Sequence, residues 1–336
     1  ILDTKLFEDT HSNCLAQGLD FQSGVRVENT CHTCGSEQVR INGMDGSYSQ
    51  VLIDSRPIYS SLAGLYGLEQ IPQSMIERVE VMKGGGSALY GSSAIAGTIN
   101  IITKEPARNS GEVSHDLTSI GGKNAFENTT NLNASLVTDD RKAGLFIFGQ
   151  SRYRDGYDRD KDGFTDLARI DNKTIGLHSY LKTSNYSKLS FEYHNITDFR
   201  RGGNKINLQP HEADVAEEAT HSINGGGINF ELFSPDYKHK INLYTSMQSI
   251  ARKSYSGVGQ DTRGYGNTDD LTYAAGGQYT YNWDKCLFMP AQFTGGAEYT
   301  YDNLHDEILG YNRNIRQTVH TESVFLQNEW KNETWG

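Results

Sequence analysis

Proline and cysteine are scarce in this 336-residue chain, with 6 and 4 copies, and no apolar run approaches the length of a membrane-spanning helix. The longest run, "AGLFIFG" at 143–149, falls far short of the roughly 20 residues a helical span needs, which excludes helical spans and leaves β-barrels open. Positive charge is also short: 31 Lys+Arg stand against 42 Asp+Glu, for a formal net charge of -11. No basic stripe is available to neutralise phosphates, so a nucleic-acid partner is excluded. The opening "ILDTKLFEDT" lacks the basic start, apolar middle and cleavage site of a signal peptide, and the final "VFLQNEWKNETWG" stops within a strand-like alternation. Both ends therefore read as cut.

Present in quantity are 35 glycines, 19 tyrosines and 13 phenylalanines, at a hydrophobic content of only 36% and a mean hydropathy of -0.60. Such a balance suits a β-rich chain whose strands each show one apolar and one wet face. Among the cysteines, Cys31-x-x-Cys34 has the spacing of a redox motif, half a zinc site or a disulfide. A second CxxC is missing, as is a strand–CxxC–helix context, so a structural disulfide among Cys14, Cys31 and Cys34 is expected, its pairing open.

Two regions follow different grammars. Residues 1–106 read as a compact α/β unit, with short strands at "QVRING" (38–43), "SQVLIDS" (49–55), "ERVEVMK" (77–83) and "TINIITK" (98–104), a helical piece at 67–76, and turn dipeptides at Asn42-Gly43 and Asp45-Gly46. From 107 to 336 the pattern has period two. In "LSFEYH", Leu189, Phe191 and Tyr193 share one face while Ser190, Glu192 and His194 share the other. Tight turns fall near 138–142, 183–187, 234–238 and 282–286, and long polar segments near 154–170, 199–219, 252–270 and 303–316. Short turns alternating with long loops between long amphipathic strands predict the first ten or so strands of a large antiparallel membrane β-barrel. A soluble sandwich has shorter strands and no such alternation.

Between two apolar strands lies the glycine-rich "MKGGGSALYGSSAIAG". A phosphate loop requires Lys and a hydroxyl where Ser92-Ser93 stand, and a dinucleotide fingerprint requires glycine where Leu89 stands, so the glycines are read as permitting turns and close packing. The whole stretch "IERVEVMKGGGSALYGSSAIAGTINIITK", with "VRINGMDGSYSQVLIDSRPIY" before it, resembles the plug domain of TonB-dependent outer-membrane receptors. Within that family it is most similar to the cobalamin receptors, and "ENTCHTCG" to the version found in Bacteroidetes-type bacteria. The resemblance covers about 1–106. It implies a barrel of 22 strands closed by the plug, of which this chain holds about half, and no TonB box is visible ahead of Ile1.

What the resemblance implies about sites is specific. Two plug loops, 42–48 and 55–67, are expected to meet the ligand through Tyr48, Tyr59, Ser60, Ser61, Leu65 and Tyr66, whose aromatic faces and hydroxyls suit a large flat molecule with polar edges. Glu77, Arg78, Glu80 and Lys83 are expected to lock the plug to the barrel wall; the plain alternative is a solvated plug strand. In "YDRDKDGFTDL", Asp158, Asp160, Asp162 and Asp166 surround Gly163 as calcium ligands do, although Arg169 replaces the closing Glu of an EF-hand and flanking helices are missing. Calcium in an outer loop and a solvated acidic loop both stay open. The partners implied are the TonB energy-transducing complex, outer-membrane lipid, a corrinoid or, in the runner-up reading, haem or a siderophore, and a surface lipoprotein as a lid. The histidines and carboxylates form no nucleophile–base set, so the chain is read as a transporter and not an enzyme.

Overall fold

The computed structural model describes residues 1–31, 36–56, 71–84, 94–122 and 125–330. Its N-terminal unit contains β1 (Leu2–Asp3), α1 (Thr4–Asp9), α2 (Leu15–Leu19), β2 (Val25–Cys31), β3 (Ser36–Ile41), β4 (Ser49–Ile53), β5 (Ile76–Lys83) and β6 (Gly97–Thr103). Four strands form a mixed sheet in the order β1-β5-β6-β4, with β4 parallel to β6, while β2 and β3 form a separate antiparallel ribbon. Neither helix was legible in the sequence. Asp3 caps α1 by accepting from the Leu6 N–H at 2.9 Å, and both helices exist because Phe7, Leu15 and Leu19 bury against the sheet. Of the helical piece expected at 67–76, residues 67–70 lie outside the described residues, and 73–75 form a single short turn.

One antiparallel sheet of ten strands follows in strict neighbour order. Its members are β7 (Ser110–Ile120), β8 (Ala125–Val137), β9 (Ala143–Arg154), β10 (Arg169–Ser184), β11 (Ser187–Gly203), β12 (Val215–Phe233), β13 (His239–Val258), β14 (Tyr265–Cys286), β15 (Met289–Ile308) and β16 (Arg313–Trp330). Three of the four tight turns expected from sequence fall where expected, and the fourth lies at 287–288, just past the expected 282–286, which continue β14. Of the four long segments, 155–168 and 204–214 are loops, but 252–270 and 303–316 are mostly strand. The reason is length: β12 to β16 run 18 to 22 residues where a tilted span needs about 10, so these strands continue past the lipid with polar residues on both faces.

Burial separates the two faces. Leu132, Ile175, Leu189, Phe191, Ile228, Leu243 and Met247 stand exposed on the outer face, as lipid-facing residues do. Toward the short turns an aromatic girdle forms: Tyr186, Phe233 and Tyr237 pack together, Tyr281 against Trp283, and Phe288 against Trp330. The inner face is polar, with Glu127, Gln150, Arg152, Asn172, Glu192, Asp198 and Gln248 buried along it. It holds the plug.

Candidate functional site

The plug is fastened to the wall by a turn that the sequence builds locally. At the end of β4, Asp54 and Ser55 take left-handed backbone conformations (φ 48° and 64°), and Ile53 and Arg56 exchange both backbone hydrogen bonds at 3.0 Å. Asp and Ser tolerate this two-residue turn because their side chains bond nearby backbone. Asp54 accepts from the Thr103 N–H at 2.9 Å and its hydroxyl at 2.6 Å, and Asn100 brackets Ser55 with two further bonds. Arg56 is thereby aimed at the barrel. Its Nη2 lies 2.5 Å from Glu192 Oε1 and 3.5 Å from Asp54 Oδ2, with Arg56 and Glu192 both buried. Room for the guanidinium comes from Gly227, the register partner of Glu192 on β12, where a Cβ would stand 2.6 Å from Arg56 Nη1.

A second fastening joins the loop before α2 to β8 and β9. Arg152 donates to Glu127 at 2.8 Å, Asn13 donates to the same carboxylate at 3.5 Å, and Gln150 donates to the Asn13 carbonyl at 3.0 Å. At the short-turn end, Lys188 pairs with Glu105 at 2.9 Å, and His178 meets the Thr103 hydroxyl and Lys104 carbonyl at 3.1 and 3.2 Å. Burial holds the Lys104 ammonium below the usual lysine range, against the pull of nearby carboxylates. Between plug and wall lies a cavity of about 410 Å³, lined by Asp54, Arg56, Arg78, His178, Lys188, Glu192 and their neighbours. Short turns mark the periplasmic end of such a barrel, and Lys188 and Glu231 beside two of them place the cavity there.

Of the residues expected as the lock, Glu77, Arg78 and Glu80 pair among themselves instead. Arg78 donates to Glu80 at 2.8 Å and to Glu77 at 3.2 Å, all three half-exposed on β5, and the Glu80 bond raises the guanidinium pKa. Lys83 lies beside Gly24 within the plug. Among the described residues, plug and wall are joined by the ion pairs Arg56–Glu192 and Glu105–Lys188, and His11 lies 3.6 Å from Asp116 of β7. Glu192 had a visible signal, a carboxylate on the wet face of "LSFEYH", and Arg56 stood in the quoted "IDSRPIY". Of the expected ligand contacts, Tyr48 is exposed at the start of β4, and Tyr59, Ser60, Ser61, Leu65 and Tyr66 lie outside the described residues. Cys14 is a buried thiol ahead of α2, while the side chains of Cys31 and Cys34 also lie outside them.

In the outer loop 155–168, Asp158, Asp160 and Asp166 bring carboxylate oxygens within 4.8 Å of one another. Asp162 does not join them; it accepts from the Phe164 N–H at 2.8 Å. The loop is shaped by its own backbone donors: Lys161 and Gly163 give to Asp158 at 2.6 and 2.9 Å, and Arg159 to Asp166 at 2.6 Å. Three carboxylates converging on one point fit a hard divalent cation of the calcium class.

Higher on the inner face a polar belt crosses the sheet in register through Asn172, Asp198, His221, Arg252, Thr268 and Asp306. Asp198 accepts from Asn172 at 3.1 Å and Arg200 at 2.8 Å, and Arg252 reaches Asp306 at 3.2 Å.

Residues 1–98 match the family model of the TonB-dependent Receptor Plug Domain. This part of the chain is a TonB-dependent receptor plug. The plug match covers residues 1–98, and the chain as a whole is similar to TonB-dependent receptors of the bacterial outer membrane. Among curated proteins it is similar to the vitamin B12 transporter BtuB of Vibrio vulnificus, 36% identical over 113 residues, which is 34% of this chain and 18% of that protein. Solved structures share the fold. The siderophore receptor PirA of Acinetobacter baumannii matches with a TM-score of 0.74 at 18% identity, over 91% of this chain and 48% of that one. A ferric enterobactin receptor mutant (PfeA) from Pseudomonas aeruginosa matches with a TM-score of 0.76 at 16% identity, over 97% and 54%. The ferric citrate transporter FecA matches with a TM-score of 0.73 at 15% identity, over 98% and 53%. The chain thus spans about half the length of the receptors it matches in structure.

Proposed function

We propose that the protein is the N-terminal half of an active transporter that takes up a scarce ligand across the outer membrane, a corrinoid, with energy supplied by TonB. The observation that carries this reading is the Arg56–Glu192 fastening. A passive pore has no use for a folded plug held in its lumen by a buried ion pair, whereas a transporter needs a closure that holds at rest and yields to force. Work must come from the inner membrane because no nucleotide pool serves the outer one. Ligand binding at the outer side favours the plug state that engages TonB, through a difference in affinity between the two states.

A corrinoid is favoured over iron chelates by the plug, whose similarity to BtuB is closer than the likeness of the fold to the siderophore receptors. Tyr48 and the 59–66 segment supply the aromatic and hydroxyl surface for it. Asp158, Asp160 and Asp166 hold calcium in this reading, which ties the outer loop over the binding face. A haem or siderophore receptor is the second reading, favoured by the solved structures that share the fold. Calorimetry on the full-length receptor in detergent separates them: cyanocobalamin should bind, and bind more weakly in a chelator. Binding of haem or a ferric siderophore alone would replace the first reading with the second.

A further inference from the structure

On the inner face of β13, β14 and β15, toward the outer ends of the strands, a group of side-chain oxygens is buried without a donor. Gln248 stands opposite Thr272, and Thr272 opposite Asp302, in the register of the three strands. Asp270 lies two residues from Thr272 along β14 and so shares that face. Asp302, opposite Thr272, is the diagonal cross-strand neighbour of Asp270, so two acceptor-only carboxylates stand side by side on this face. Asp270 is 2% exposed and both its carboxylate oxygens lack a partner. So do Gln248 Oε1, Thr272 Oγ1 and Asp302 Oδ1, with Gln248 4% and Thr272 7% exposed.

Burying one unpaired carboxylate is costly, and setting a second beside it adds repulsion in a medium that screens poorly. The neighbouring Arg252 bonds Thr268 and Asp306, one step further out. A single shared proton would relieve the two carboxylates but leave the amide and hydroxyl oxygens unsatisfied. A cation satisfies all of them. We propose that Gln248, Asp270, Thr272 and Asp302 form a divalent-cation site of the calcium class. The donor set is oxygen only, doubly negative and mixed among carboxylate, amide and hydroxyl, which suits a hard cation with water completing its shell. Such an ion would cross-link three strands of the barrel wall within the lumen, separate from the loop cluster at Asp158, Asp160 and Asp166.

The test counts calcium bound to the full-length receptor after desalting, by atomic emission. The starting protein is an Asp158→Asn/Asp160→Asn variant, in which the loop cluster is disabled. Adding Asp270→Asn, or separately Asp302→Asn, should lower the count by one ion per chain. Gln248→Leu removes a ligand without altering charge and should lose the same ion on desalting; it serves if an Asp variant does not fold. A calcium count unchanged by the folded variants among these three would overturn the proposal.

Discussion

Arg56 of the plug and Glu192 of the barrel wall meet at 2.5 Å in a space that exists because residue 227 is glycine. Glu192→Ala leaves a buried guanidinium without its main counter-charge, which costs about 3–5 kcal/mol. The expected outcome is a plug that loosens in urea before the barrel unfolds, and cells that admit a bulky antibiotic. Glu77→Ala, which removes a half-exposed partner of Arg78 on β5, should cost less than about 1 kcal/mol and leave the barrier intact. Equal effects of the two variants would show that the ion pair does not hold the plug.

Gly227→Ala tests the same joint from the other side. The added methyl would stand 2.6 Å from Arg56 Nη1 and 2.8 Å from the Thr245 carbonyl, and the backbone contact cannot swing away. Destabilisation of about 1–3 kcal/mol is expected, read as a lower urea midpoint for plug release, with barrel migration on gels unaffected.

Asp54→Ala removes both bonds to Thr103 and leaves an alanine in a left-handed conformation (φ 48°). The predicted cost is about 2–4 kcal/mol, the sum of two bonds to a charged acceptor and the backbone strain. Asp54→Asn, which tolerates the same backbone and keeps one acceptor, should recover about half of it. Thermal unfolding of the two variants checks the order; if alanine equals asparagine, the turn does not aim Arg56.

Much of this architecture was legible because period-two patterning survives wherever lipid touches one face: Leu189, Phe191 and Tyr193 declare themselves beside Glu192 and His194. The signal fails where β13 to β16 rise beyond the membrane. There both faces meet water or a polar lumen, so 252–270 and 303–316 read as loops although backbone pairing continues through most of them. Ion pairs were the hardest part. Arg56 and Glu192 are 136 positions apart, whereas Glu77, Arg78 and Glu80, to which the resemblance pointed, lie close enough in sequence to pair with one another.

Leu243 tests the assignment of the outer face. It is about half exposed on β13, four residues into the strand from its short turn, which puts it near the middle of the lipid. Leu243→Arg should cost about 2–4 kcal/mol and reduce the folded, membrane-inserted fraction, while Leu243→Phe should be nearly neutral. Arginine tolerated at 243 without loss of insertion would mean this face does not meet hydrocarbon.

The outer loop carries its own reporter for calcium. Arg159 and Lys161 are exposed between Asp158, Asp160 and Asp162, so trypsin can cut within the cluster that a cation would organise. Without an ion, Asp158, Asp160 and Asp166 repel one another and only backbone donors hold the loop closed. With one bound, the loop stays in its closed state and cleavage must wait for release, so protection follows the ratio of calcium to its dissociation constant. Cleavage after Arg159 or Lys161 should slow at least about tenfold on adding calcium at ten times that constant, and Asp158→Asn/Asp160→Asn should abolish the protection. Equal cutting rates in calcium and in chelator would return the loop to a solvated acidic turn and leave corrinoid binding independent of metal there.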